Sequence, residues 1–302
     1  MSIKNKLSTK QKRRLYSFLN LLPDSLVVRL QYYASLGRWP NIKKPVRYTE
    51  KLQWYKLNYR VPLMTQCADK YRVRDYLIER GYEQYLPMLY QVCDSAGEID
   101  FEKLPNAFAI KCNNGSGTNI FVSDKANADI ASIIVEAKKW NKVNTISVGR
   151  EWAYVNIEPK IVVEELLVSK DGTQTTDLND YKIMCFNGKP KVIWVDVDRH
   201  IAHKRNFYDL DWNQLDVVSD CPLTDYPIPK PYGLDQMIKI SETIAQDFPF
   251  VRVDFYSLNS KVYIGELTFY PWSGCVQYSP DSFDFELGSY FELPPKTIVK
   301  GS

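Results

Sequence analysis

The residues best placed to do chemistry in this chain sit on two neighbouring apolar runs, 251–258 and 261–269: Arg252-Val-Asp254 on the first, Gly265-Glu266-Leu-Thr268 on the second. Strand side chains alternate faces, so Arg252 shares a face with Asp254, and Glu266 with Thr268. The turn decides whether the two pairs meet. A two-residue turn at Asn259-Ser260 pairs Asp254 with Gly265 and sends Glu266 to the other side. A three-residue turn over 258–260 pairs Arg252 with Glu266 and gathers all four polar groups. It also leaves Val251, Val253, Phe255, Tyr263 and Leu267 as the apolar face, which makes the more sensible core. Two converging carboxylates repel unless a cation lies between them. Magnesium with nucleotide phosphates meets that need, and Arg252 would stabilise charge on a transferring phosphoryl group. A surface hairpin with ordinary ion pairs explains the same spacing.

Three further stretches could join this chemistry. Lys111 leads into Cys-Asn-Asn-Gly115-Ser116-Gly117-Thr-Asn between two strand-like runs. Such a glycine loop can expose backbone N–H groups to phosphate, although it is no Walker loop and reads equally as a plain hairpin. Glu164-Glu165 ends an apolar run, either as a solvated strand end or as backbone that could bond an adenine edge. Asp196-Val-Asp198 follows the apolar run 191–195, a D-x-D of the kind that holds manganese in many nucleotide-sugar glycosyltransferases. The residues after it, Arg199, His203, Lys204 and Arg205, form a cationic patch suited to an anionic substrate, or a solvated loop.

The elements that must position these groups divide the chain by texture. Residues 9–60 read as helical and basic, with Leu15, Phe18, Leu19 and Leu22, then Leu26, Val27, Leu30 and Tyr33, at helical spacing. A further helix starts near Thr49, and another spans 66–80 and stops at Gly81. Beyond residue 105 strands dominate: 107–111, 120–123, 161–168, a hairpin of 181–186 and 191–197 around Asn187-Gly188, and the pair first described. Helices interrupt at 130–140 and 234–248. The pattern predicts an α+β fold with substantial antiparallel sheet.

Composition limits the partners. The 302 residues suffice for about two domains of roughly 100–200 residues each. The net charge of +3 gives no basic excess for a nucleic-acid binder. Lys4, Lys6, Lys10, Lys12, Arg13 and Arg14 crowd the start, either as a solvated terminus or as a contact for an anionic membrane. No run approaches the ~18 apolar residues of a membrane span, and the opening residues lack a signal-peptide pattern. Six scattered cysteines without a C-x-x-C pair read as reduced thiols, which predicts a cytoplasmic chain. With only two histidines, a metal would be held by carboxylates, pointing to magnesium or manganese. The 14% aromatic content leaves a carbohydrate-binding protein as a further reading.

Taken in order, Lys111 with its glycine loop, Glu164-Glu165-x-Leu167, Arg252-x-Asp254 and Glu266-x-Thr268 resemble the ATP-grasp ligases. Glu50-Lys-Leu-Gln-Trp54, Asp69-Lys70-Tyr, Gly149-Arg150-Glu-Trp152, Asp180-Tyr-Lys182, His203-Lys-Arg-Asn-Phe-Tyr208 and the 250–255 run look like the TupA-like branch, associated with teichuronopeptide synthesis. The resemblance covers about residues 20–290 and implies an ATP-grasp fold, with mostly antiparallel sheets clasping the nucleotide behind a helical N-terminal region. Four parts are expected: a basic helical extension (1–60), the start of the core (61–105), a central lid with the glycine flap (106–163), and a C-terminal subdomain with hinge and metal site (164–302).

The resemblance also implies roles. ATP and Mg2+ are the cofactors. Lys70 and Lys111 look like phosphate-contacting lysines, with Gly115, Ser116 and Gly117 as the flap. Glu164, Glu165 and Leu167 look like the adenine hinge, Asp180 like a ribose acid, and Lys182 like part of the nucleotide site. Asp254, Glu266 and Thr268 look like the metal ligands, with Thr268 where the family usually has asparagine. Arg252, together with Lys111, looks catalytic, beside an acyl-phosphate. Arg150, Arg199, His203, Lys204 and Arg205 are expected on the substrate side, where Trp272 replaces a common glycine. The implied reaction joins a carboxylate to an amine, on a saccharide of a surface-polysaccharide pathway.

Overall fold

The computed structural model describes residues 19, 21–115, 117–140, 149–168, 178–199 and 201–297. Ser116 and the basic run at the start lie outside the described residues. Two antiparallel sheets carry the site. The smaller is built from β1 (Leu89–Cys93), β2 (Phe108–Cys112), β3 (Asn119–Val122) and β4 (Ile161–Glu165), in the order β1-β4-β2-β3. The larger contains β5 (Asp180–Phe186), β6 (Lys189–Val197), β7 (Lys204–Tyr208), β8 (Gln214–Leu215), β9 (Phe250–Leu258) and β10 (Lys261–Thr268), ordered β10-β9-β5-β6-β7-β8. The hairpin of β5 and β6 turns on Asn187 (φ 46°) and Gly188 (φ 83°), the left-handed pair that a tight hairpin turn requires.

Seven α-helices fall among the described residues: α1 (Asp24–Leu36), α2 (Tyr48–Asn58), α3 (Pro62–Ala68), α4 (Val73–Glu79), α5 (Ile130–Lys138), α6 (Leu234–Ala245) and α7 (Ser282–Tyr290). The apolar faces of β5, β6 and β9 pack on α6 and α2, so that Tyr48, Leu52 and Tyr55 share one core with Ile183, Val253 and Met237. By packing, α2 therefore goes with the large sheet. A second, smaller core lies under the four-stranded sheet, around Phe108, Ile110, Val163 and Ala137.

Several expectations need correction. The helix expected over 66–80 is two helices, because the Asp69 carboxylate accepts the backbone N–H groups of Tyr71 (2.8 Å) and Arg72 (3.2 Å) and breaks the chain there. That break turns Lys70 towards the flap. In α1 the buried residues are Val27, Val28 and Tyr32, whereas Leu26, Leu30 and Tyr33 face outward. The 199–205 patch is a solvated loop only in part: Arg199, Ile201 and Ala202 are exposed on a turn, whereas Lys204 and Arg205 open β7 and Arg205 is buried. Strands β1 and β8 and helix α7 went unread because their apolar residues are too few or too irregular to show a period.

Helix α7 meets α2 with almost no gap. A Cβ at Gly288 would stand 2.0 Å from the Val46 carbonyl oxygen and 2.9 Å from the Tyr48 nitrogen. Replacing a helical glycine by alanine ordinarily stabilises by about 1 kcal/mol. Here the collision with backbone outweighs that gain, and Gly288→Ala is expected to lower the unfolding free energy by about 2–3 kcal/mol in urea titrations.

Candidate active site

The two sheets enclose a cleft of about 490 Å³, lined by Lys111, Val162 and Glu164 from the smaller and by Asp180, Lys182, Asp196, Arg205, Arg252, Asp254 and Glu266 from the larger. The floor is a lattice of alternating charge on β5, β6, β9 and β10. Arg252 grips Asp254 with two hydrogen bonds, Nε to Oδ1 and Nη2 to Oδ2. The same Nη2 donates to the Thr268 hydroxyl at 2.9 Å and lies 3.4 Å from Glu266 Oε1. Lys182 reaches Asp180 and, at 3.0 Å, Asp254. Burial alone would discharge Lys182, but Asp180 and Asp254 together raise it above its ordinary value.

A β-bulge makes this floor possible. The turn at Asn259-Ser260 has two residues, both left-handed (φ 51° and 58°), and pairs Leu258 with Lys261. At that register Glu266 would point into the core. The register then shifts between Ile264 and Glu266, so that Glu266 pairs with Asp254 and Thr268 with Arg252. Neither turn considered from the sequence is therefore the whole answer: the short turn forms, and the extra residue Gly265 restores the convergence that the long turn would have given. The apolar face changes with it. Val262, Ile264, Leu267 and Phe269 enter the main core, while Tyr263 leaves it for a small cluster with Leu167, Leu178 and Leu258.

The two carboxylates respond oppositely to this setting. Burial raises the Asp254 carboxyl above the usual carboxylate range, with Arg252 and Lys182 offsetting only part of the effect. Burial also acts on Glu266, but Lys70, Arg252, Lys182 and Lys111 outweigh it and hold its carboxyl at about 2. The Glu266 side chain is 39% exposed to the cleft and lies 3.5 Å from Lys70 Nζ. No group of three or more His, Cys, Asp or Glu side chains among the described residues is arranged to hold a metal. The donors on this face are two carboxylates and the Thr268 hydroxyl, an all-oxygen set whose hardness suits magnesium.

Beside the floor runs a narrow, largely apolar slot walled by Val73, Leu77, Leu86, Ala109, Phe121, Tyr256 and Ile264, with Glu165 and Leu167 at its edge. Lys70 and Lys111 line both slot and cleft. Lys70 Nζ donates to the Gly115 carbonyl at 2.6 Å, tying the α3–α4 break to the flap, and Gly117 adopts φ 72° at the cleft. Lys111 Nζ pairs with the Glu164 carboxylate, which also lies 3.8 Å from Arg74. The Glu165 N–H donates to the Met88 carbonyl at 2.8 Å, anchoring this strand end to β1. Sequence reasoning missed Arg74, Phe121 and Tyr256. The aromatic pair falls on strand faces recognisable only once the register is known.

The residues expected on the substrate side separate. Arg199 and Arg205 line the cleft, but Arg199 donates to Asp180 (2.8 Å) and Arg205 to Asp196 (2.6 Å) and Asp220. His203 lies between Asp196 (2.9 Å) and the Cys221 thiol (3.3 Å), so that a cysteine and a histidine do meet here, away from the cleft lining. Lys204 pairs with the exposed Asp225. Arg150 is not at the cleft: its guanidinium lies 2.9 Å from Asp24 and donates to the Leu19 carbonyl. Trp272 is there, its ring 4.6 Å from that of Trp194 and beneath the Arg205 guanidinium, also at 4.6 Å. Three consecutive left-handed residues, Trp272, Ser273 and Gly274, present it. Gln53 and the buried Lys56 on α2 hold that turn through the carbonyls of Ser273 and Gly274.

Two antiparallel sheets thus close on a polar cleft with an apolar slot at its side. A family model for TupA-like ATP-grasp proteins matches residues 50–292, and the chain belongs to that family. A comparison with curated proteins finds no match. Among solved structures, D-alanine–D-alanine ligase from Bacillus anthracis is 18% identical, with 67% of this chain and 57% of that chain covered and a TM-score of 0.42. The same ligase from Helicobacter pylori is 11% identical over 83% and 68%, with a TM-score of 0.44. The L-amino acid ligase from Bacillus licheniformis is 14% identical over 71% and 44%, with a TM-score of 0.42. The chain thus spans a little over half the length of the first of these.

The D-x-D reading fails on this geometry. It requires a parallel nucleotide-binding sheet, and every strand pairing among the described residues is antiparallel. Asp196 is buried beneath Arg205, His203 and Lys182, whereas Asp198 leaves the strand at φ 51° and accepts from the Tyr226 hydroxyl at 3.1 Å. Asp196→Ala removes the buried carboxylate that Arg205 and His203 share, while Arg205 keeps Asp220 and Lys182 keeps Asp180 and Asp254. It is expected to cost about 2–3 kcal/mol of unfolding free energy. Asp198→Ala should cost no more than about 1 kcal/mol, and denaturant titrations of both variants check the contrast.

Proposed function

We propose that the chain is an ATP-dependent carboxylate–amine ligase, ADP-forming, that modifies a surface or capsular polysaccharide or its precursor. The observation that carries this reading is the joining in one cleft of Lys70 and Lys111 with Arg252, Asp254 and Glu266, Thr268 being bonded to Arg252 and the apolar slot lying alongside, in a chain of the ATP-grasp family. The slot takes adenine, with the backbone of Glu165 and Leu167 at its edge and Glu164 holding Lys111 in place. Asp180, whose buried Oδ1 has no hydrogen-bond partner, accepts from a ribose hydroxyl. Lys70, Lys111 and the Gly115–Ser116–Gly117 flap neutralise the phosphates.

Asp254, Glu266 and Thr268 would hold Mg2+, which when bound shields the phosphate charge. A substrate carboxylate takes the terminal phosphoryl group beside Arg252, and ADP leaves. The amine then attacks the acyl-phosphate carbon, phosphate departs, and the amine loses a proton to give an amide. Arg252, held by two bonds to Asp254, is pre-aimed at the transferring group, which is where positioned charge is worth most. The substrate end is bounded by Arg199, Arg205 and Trp272. An anionic sugar such as a uronic acid, with an amino acid or amine as its partner, would compete there with Asp180, Asp196 and Asp220 for the two arginines. We place the reaction in the cytoplasm, at the inner face of the membrane.

Calorimetric titration with a non-hydrolysable ATP analogue and magnesium tests the reading, run beside UDP-glucose with manganese. Micromolar binding of the analogue is expected, weakened about tenfold or more in Glu266→Gln, with no binding of the sugar nucleotide. Sugar-nucleotide binding without analogue binding would sink the ligase.

A further inference from the structure

The outer face of α1 is apolar, exposed and set in a positively charged surround. Leu26, Leu30 and Tyr33 follow one another at i, i+4 and i+7 and therefore share one side of the helix. They are 40%, 37% and 45% exposed, while Val27, Val28 and Tyr32 bury the opposite side against the protein. Trp39, 58% exposed, stacks on Tyr33 with ring centroids 4.6 Å apart and an interplanar angle of 20°, which extends the apolar face beyond the helix end. A helix on a water-facing surface ordinarily carries charge on this side. A contiguous apolar face instead marks a surface with a partner.

The charge around it says which partner. From Ser25 to Thr49 the chain has no acidic residue. Arg38 and Arg47 of this stretch are engaged with Asp281 and Asp284, and Arg29 reaches the Pro40 carbonyl. Lys43 and Lys44 are exposed and make no ion pair with a described residue. Lys43 lines a shallow groove with Ser25, Ile42, Trp54 and Lys296, which contains no carboxylate. The sequence ahead of α1 adds six lysines and arginines before residue 15 and no acid. The carboxylates nearest this strip, Asp24 and Asp281, are each held by arginines (Arg60 and Arg150, Arg38 and Arg47). The charge left over beside the tryptophan and tyrosine is that of Lys43 and Lys44, and the strip complements a surface that is oily beneath and diffusely negative above. A protein partner would have to supply both an apolar groove and an acidic collar of matching shape.

We propose that the face formed by Leu26, Leu30, Tyr33 and Trp39, with Lys43 and Lys44, docks on an anionic lipid surface. The helix lies in the plane of the headgroups, with Trp39 and Tyr33 at the interface and the lysines towards lipid phosphate. The proposal is independent of the nucleotide chemistry, because none of these residues lines the cleft or the slot.

Flotation of the full chain with vesicles of phosphatidylcholine alone, and of phosphatidylcholine mixed with phosphatidylglycerol, tests it. The chain is expected to float with the mixed vesicles, to stay behind with the neutral ones, and to be released by high salt. Leu30→Asp combined with Trp39→Ser should reduce the bound fraction about tenfold or more while the basic start of the chain is intact. Both side chains are exposed, so the unfolding midpoint and the affinity for the ATP analogue should match those of the unaltered chain. Failure of the unaltered chain to float with the mixed vesicles, or equal flotation of the double variant, would overturn the proposal. So would a dimer in lipid-free buffer that the double variant abolishes, since the face would then be a protein interface.

Discussion

Strand β10 carries one residue more than its partner between Ile264 and Leu267, and the chemistry of the cleft floor follows from that insertion. A regular strand would place Ile264 and Leu267 on opposite faces, because they are an odd number of residues apart. With Gly265 unpaired, both enter the core and Glu266 turns up beside Asp254. The bulge needs a residue with little bulk: a Cβ at Gly265 would meet the Tyr256 ring at 3.1 Å, and that ring walls the slot. One small residue thus couples the acidic face to the shape of the neighbouring pocket.

The charges gathered there must satisfy one another whenever no ligand neutralises them. Among the described residues six cationic side chains and five carboxylates line the cleft, and most are paired within a strand or across adjacent ones. Burial makes an unpaired charge costly, so the pairing keeps Lys182 and Arg252 ionised in a site that would otherwise discharge or expel them. The sequence argument that a cation must lie between the carboxylates is met here by Arg252 itself. A metal ion on these carboxylates would compete with the arginine for their oxygens, and a phosphoryl group would compete with the carboxylates for its N–H groups.

Helix α2 links the other end of the cleft to the core. Its inward side buries Leu52 and Tyr55, and its Gln53 and Lys56 reach the carbonyls of a turn whose left-handed residues no ordinary loop would choose unaided. The Glu50-Lys-Leu-Gln-Trp54 motif is accounted for by this arrangement. Glu50 accepts the backbone N–H groups of Asn41, Val46 and Arg47 ahead of the helix, and Gln53 fixes the turn that presents Trp272.

Much of this was legible in the residues alone. Alternation marked the strands, Asn187-Gly188 marked their hairpin, and the order of Lys111, Glu164, Arg252 and Glu266 resembled one family because chemistry constrains residue type and spacing together. The bulge was not, because Tyr263, Leu267 and Phe269 fit a regular alternation, and only the strand pairing puts Val262 and Ile264 in the core beside Leu267 and Phe269. Other features were open to tertiary structure alone. Leu26 and Leu30 have the spacing of core residues, yet Val27 and Val28 won the buried side, because several rotations of a helix satisfy one apolar count and only its neighbours select among them. Arg150 resembled a substrate residue and folded against Asp24, and Arg199 and Arg205 were cations whose acidic partners lie on other strands or distant loops. A sequence fixes which groups are charged; which of them are already neutralised depends on distances that exist only after the strands have paired.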